Sequence, residues 1–126
     1  MMNELERFHH DFAYLAIAIN ILASIWMFLS LKIVDLKRKK YFFAPVYIGW
    51  LAICVQAFLG ISLFMSGEKL GTGKGFHYFY GFIAMMTAAI LFSYSKTMGK
   101  KKILIYAVSS LFLGGLGIRA AWIAFS

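Results

Sequence analysis

Apolar residues fall in four long blocks along the chain, at about 12–33, 42–65, 76–95 and 103–125, separated by short polar stretches. None of the blocks alternates with the period of a half-buried strand. Each supplies the roughly 20 apolar residues that carry a helix across about 30 Å of hydrocarbon. The pattern predicts an all-α integral membrane protein: a four-helix up-down bundle forming one transmembrane domain over 1–126. The first block is longer than the apolar core of a signal peptide and no small-residue cleavage site follows it, so it is expected to be part of the mature bundle.

Composition agrees, with 62% of residues hydrophobic and only 14% charged, far from the balance of a soluble domain. A net charge of +8 raises the question of nucleic acid, but the placement of the charges answers it. Lys32, Lys37, Arg38, Lys39 and Lys40 cluster in the first loop and Lys96, Lys100, Lys101 and Lys102 in the third, against one acid, Asp35. On the other side Arg7, Lys69, Lys74 and Arg119 are balanced by Glu4, Glu6, Asp11 and Glu68. The positive-inside rule makes the basic loops cytoplasmic and puts both termini outside the plasma membrane. The partner this implies is the lipid bilayer, whose anionic headgroups the same lysines would meet, and not nucleic acid.

Helical register separates two adjacent histidines. From His9, steps of three and four residues give Ala13, Ala16, Asn20, Ala23 and Met27, a stripe of mostly small side chains. From His10 they give Tyr14, Ile17, Ile21, Ser24 and Phe28, which is bulkier. Helix contacts in membranes favour small residues, so His9 is expected to face inward and His10 towards lipid. Helix 3 repeats the pattern, with His77 heading Gly81, Ala84, Ala88, Leu91 and Ser95. Helices 2 and 4 share Leu59-Gly60-Ile61 and Leu116-Gly117-Ile118. The chain thus reads as two related hairpins about a pseudo-two-fold axis along the membrane normal, passing between the histidines.

Smaller features have plainer readings. Pro45 falls in the first turn of helix 2, where its missing N–H costs nothing. Tyr41, Phe42 and Phe43 are expected to form an interfacial aromatic belt. Cys54, the single cysteine, is expected to pack. The glycine-rich loop at 66–75 lacks the strand and the Gly-Lys-Ser/Thr pattern of a phosphate loop. Gln56 needs a buried partner, and Gly60 one turn on permits close approach of a helix or of a flat ligand. Arg119 would snorkel, or pair with Glu6 or a ligand carboxylate.

Two imidazoles at equal depth, each above a slot of small residues, suit the two axial positions of a haem iron. The expected cofactor is therefore haem b, with His9 and His77 as metal ligands and Gln56, Gly60, Gly81 and Arg119 around the porphyrin. Glu6 or a backbone carbonyl would orient an imidazole, and Phe8, Phe76 and Tyr80 would line the rim.

Glu6-x-x-His9, Gln56-x-x-Leu59-Gly60 and His77 at the start of helix 3 resemble the repeating unit of the haem A synthase family. Its members usually carry two such four-helix halves, each with a histidine pair; compact single-half forms also exist. The resemblance implies an axial pair of His9 and His77, a catalytic role for Glu6 near the reacting porphyrin edge, and oxidation of a haem methyl group. This chain has one inward pair and no cysteines in its loops. Either a homo-oligomer supplies a second haem site, or the chain is a b-type cytochrome or haem carrier serving a membrane redox partner. A small multidrug-type transporter fits the length, but no span holds a carboxylate away from its ends.

Overall fold

The computed structural model describes residues 4–33, 35, 38–65 and 75–125, and the side chains of these except 75, 76, 100, 124 and 125. The chain is all-helical, with four long helices: α1 (Glu4–Ser30), α2 (Ala44–Met65), α3 (Gly75–Ser93) and α4 (Lys102–Phe125). Three of them, α1, α2 and α4, are long and apolar enough to cross a membrane. The fourth, α3, is apolar but shorter. Its 19 residues extend about 28 Å at about 1.5 Å per residue, so the expectation of four full-length spans holds for three. The helix stops at Ser93 because the chain turns there through two short 3-10 helices, Ser95–Thr97 and Gly99–Lys101. Gly99 has φ +64°, in the left-handed region that glycine enters without steric cost.

Helix α1 starts eight residues earlier than the hydropathy pattern suggests, which makes Glu6 and His9 part of its first turns. It is also the centre of the packing. α1 lies along both α2 and α4, α3 packs on α4, and the seam between α2 and α3 is the sparsest of the four around the bundle. The buried face of α1 is Ala13, Ala16, Asn20, Ala23, Ser24, Met27 and Ser30, which contains the whole small stripe below His9. Large apolar side chains such as Leu22, Leu51, Phe58, Phe92 and Trp122 point outward, as they must when the surrounding solvent is lipid.

The α1–α4 contact corrects the reading of the His10 face. Ser24 is buried and its hydroxyl donates to the Ala107 carbonyl at 2.7 Å. A Cβ on Gly114 would lie 2.9 Å from Ile21 Cγ1, and one on Gly117 would lie 2.7 Å from Ile17 Cγ1. These isoleucines therefore fill the grooves that two glycines leave in α4 and do not face lipid. Bulk was a poor guide because the partner helix supplied the small residues.

Beyond this seam the interior is knit by polar links. Asn20 Nδ2 donates to the carbonyls of Ala16 at 2.8 Å and Gly49 at 3.1 Å, and Trp26 Nε1 donates to the Phe42 carbonyl at 2.9 Å. Each such bond adds roughly 1 kcal/mol in a membrane interior. Phe42 is buried against the Trp26 and Phe43 rings, so of the expected belt only Tyr41 is strongly exposed. Cys54 is also exposed: it lies on the outward side of α2, away from the packing role expected for it. The loop at 66–74, with Glu68, Lys69 and Lys74, and Lys37 in the first loop, lie outside the described residues.

Candidate functional site

The two small stripes leave space between the helices. A cavity of about 450 Å³ opens among all four, walled by Ala13 and Ala16 of α1, Ala84 of α3, and Ala120 and Ala121 of α4. This size is in the range of small-molecule sites, and so is its character: a mostly apolar lining with a few polar groups. Those groups are His9, Gln56, His77, Tyr78 and Tyr80.

His9 and His77 face each other there, with ring centroids 6.2 Å apart and planes at 90°. A metal held between two imidazoles at about 2 Å from each nitrogen places the ring centres about 6 Å apart. The same separation is an ordinary edge-to-face ring contact, so the hydrogen bonds of the two rings carry more information than the distance.

His77 Nδ1 lies 2.9 Å from the Ala120 carbonyl oxygen. A carbonyl there accepts a proton from Nδ1, so in the neutral ring Nε2 would carry the lone pair, the orientation a ligating histidine normally has. His9 is held by its backbone, because Gln56 Nε2 donates to the His9 carbonyl at 2.7 Å. Its ring packs on Gly60, where a Cβ would come within 3.3 Å of His9 Cε1. Two buried polar atoms of cavity residues, His9 Nδ1 and Gln56 Oε1, have no hydrogen-bond partner. Each buried group left so costs about 1–3 kcal/mol.

Gly60 and Gly81 therefore do different things. Gly60 lets His9 approach α2, whereas a Cβ on Gly81 would meet nothing within 4 Å, so Gly81 borders open cavity. Other expected site residues stand apart. Glu6 is half-buried one turn before His9 and is not among the residues lining the cavity. Arg119 is exposed and likewise outside the lining, because it projects from α4 away from Ala120 and Ala121. Of the expected rim aromatics, Tyr80 lines the cavity. Phe8 is exposed and stacks on Phe12 at 5.6 Å, and the Phe76 side chain lies outside the described residues. His10 is turned from the cavity, with Nδ1 3.2 Å from Asp11 Oδ1 and its ring edge-on to Tyr14.

The sequence did not identify the Ala120 carbonyl as the acceptor for His77, since a backbone acceptor carries no residue-type signal. Among the described residues no three or more of His, Cys, Asp and Glu group together as a metal site. A haem iron asks only for axial ligands from the protein, the porphyrin supplying the rest, so a pair of imidazoles could hold one without a larger cluster. No family model, curated protein or solved structure matches the chain.

Proposed function

We propose that the chain is a haem b-binding membrane protein in which His9 and His77 are the axial ligands, and that it carries electrons to a membrane redox partner. The observation behind this reading is the facing imidazole pair across the cavity, with the His77 ring held by the Ala120 carbonyl. Bound haem would supply reversible one-electron transfer at iron. The protein's part is to orient the imidazoles, to keep water out with an apolar lining, and to leave a flat slot beside Gly81 and the alanines.

The reading includes an up-down bundle in the plasma membrane, with basic loops cytoplasmic and both termini outside. It also includes a pseudo-two-fold axis between the hairpins. In support, Gln56 of α2 holds the backbone of His9 and Ala120 of α4 holds the ring of His77, so each histidine is tied to the helix that follows its own. Haem methyl oxidation, the other implication of the haem A synthase resemblance, requires an acid at the porphyrin edge. Glu6 is not among the cavity-lining residues, and electron transfer asks nothing of it.

The test is a visible spectrum of protein purified from haem-sufficient cells. Sharp low-spin Soret and α bands are expected on reduction, lost in His9→Ala and in His77→Ala but retained in Glu6→Ala. A parent protein without haem, or one whose bands survive His9→Ala, overturns the proposal.

A further inference from the structure

The cavity lies among the helices near the ends where α1 and α3 begin, and the four seams around it differ. Between α1 and α4 the way is shut, because Ile17 and Ile21 sit in the grooves of Gly117 and Gly114 at contacts that leave no room for even a methyl group. Between α1 and α2, Gln56 bonds the His9 carbonyl and Asn20 bonds the Gly49 carbonyl. Between α3 and α4, His77 bonds the Ala120 carbonyl. Between α2 and α3 the Phe64 and Tyr78 rings meet edge-on at 5.3 Å, and this seam has the fewest close backbone approaches of the four.

The cavity reaches the surface at that seam. Ile61 and Phe64 of α2 and Phe82 of α3 all line it, yet their side chains are 48%, 45% and 55% exposed. Side chains that border a cavity and also the outside of the bundle form the frame of an opening. Gly81 stands among them with nothing within 4 Å of where its Cβ would be. These frame residues are apolar and belong to apolar helices, so the opening faces lipid acyl chains rather than water.

We infer that the α2–α3 seam is a lateral portal through which haem passes between the bilayer and the histidine cavity, held open by the missing side chain at Gly81. The inference rests on the haem reading for its occupant, while the portal itself rests on packing. Haem suits such a route: its apolar faces dissolve among acyl chains, and the cavity offers it two imidazoles. Gly81 lies one helical turn from His77 and also borders the slot, so the passage is better narrowed at its frame, at Ile61; Gly115, exposed on α4 and also with nothing near its Cβ position, is outside the cavity lining.

The experiment reconstitutes haem-free protein in phospholipid vesicles preloaded with haem and follows the growth of the low-spin band. Ile61→Trp, which enlarges a side chain of the frame and leaves the slot beside Gly81 as it is, is expected to slow loading roughly tenfold, the effect of a barrier raised by about 1.4 kcal/mol, and to reach the parent's final spectrum. Gly115→Leu is expected to load at the parent rate. Equal rates in Ile61→Trp and the parent overturn the portal. A second measurement needs no haem: a spin label on Gly81→Cys, in a Cys54→Ser background, is expected to be relaxed by membrane-dissolved oxygen and shielded from a water-soluble nickel chelate. Relaxation by the chelate instead overturns the portal, whether or not haem binds. A parent that takes up no haem while the label reports lipid keeps the opening and sinks the haem reading alone.

Discussion

The two ends of this bundle are built on the same four helices and packed in opposite ways. At one end Tyr106 is fully buried, shares its hydroxyl with Tyr47 at 3.1 Å, and sits edge-on to Trp50 at 4.9 Å and Phe43 at 5.6 Å. Lys102 lies over the Phe43 ring at 4.6 Å. At the other end the same helices present alanine, glycine and two histidines around a cavity. Rings fill one end, while at the other small residues keep the helices near each other without filling the space between them. Unpartnered buried polar atoms occur along the whole interior, Trp50 Nε1 and Ser110 Oγ included, but those of His9 and Gln56 belong to residues that face a cavity. The contrast puts dense aromatic packing at the tyrosine end and open space at the histidine end, the end where the proposed function places a ligand.

The largest effect should come from hollowing the filled end. Tyr106→Ala removes a buried ring with three aromatic neighbours and orphans the Tyr47 hydroxyl, and is expected to cost about 3–5 kcal/mol in detergent unfolding. Tyr80→Ala, at the wall of a cavity that already exists, is expected to cost about 1 kcal/mol on the same scale. Equal losses would erase the distinction between the two ends.

A smaller loss is expected at the seam that spans both ends. Gly114→Val forces a side chain against Ile21, where even a Cβ would lie 2.9 Å from Cγ1, and should cost about 1–3 kcal/mol by overpacking. The same substitution at Gly115, with nothing near its Cβ position, should stay within about 0.5 kcal/mol. Unfolding midpoints of the pair measure how tightly α1 and α4 are locked.

His9→Leu should move stability the other way. In haem-free protein the His9 Nδ1 is buried without a partner, so an apolar side chain of similar size removes an unsatisfied group and is expected to stabilise by about 1 kcal/mol. Haem binding is expected to be lost in the same variant. Residues kept for a ligand at the expense of the empty fold behave in this way. A His9→Leu protein less stable than the haem-free parent would show that His9 serves packing instead.

How far these ends could be read from the sequence follows from what each depends on. Hydropathy located the four long helices, because a helix must be apolar over the part that faces lipid. The stripe of small residues placed His9 and His77 on facing surfaces, because close helix contact in a membrane selects small side chains. The tyrosine end was not anticipated: Tyr47, Trp50 and Tyr106 are spread over two helices, and aromatic residues in a hydrophobic chain look the same whether they face lipid or each other. Ile17 and Ile21 were misplaced for a related reason, since their fit depends on Gly117 and Gly114 nearly a hundred residues away. Even the start of α1 escaped the hydropathy pattern, because Glu4, Glu6, Arg7 and Asp11 are polar enough to hide two helical turns that extend past the apolar block.

The smallest effect concerns Arg119, where register arithmetic and geometry part. Level with the histidines along the bundle axis, its guanidinium would be expected to seek a carboxylate on a bound ligand, or Glu6. In the folded chain it is exposed, and the cavity wall at that depth of α4 is made by its neighbours Ala120 and Ala121. An exposed arginine with a long apolar stem reaches the headgroup region at little cost. Arg119→Gln is therefore expected to change unfolding free energy by no more than about 0.5 kcal/mol and to leave the haem spectrum and midpoint potential where they are. A carboxylate of bound haem paired with this cation would behave differently: losing the positive charge would destabilise the anion, weaken haem retention and shift the potential. Titrating haem retention in Arg119→Gln against the parent thus decides whether the charge belongs to the site or to the surface. An unchanged retention would leave the imidazoles and the shape of the slot as the protein's whole hold on its ligand.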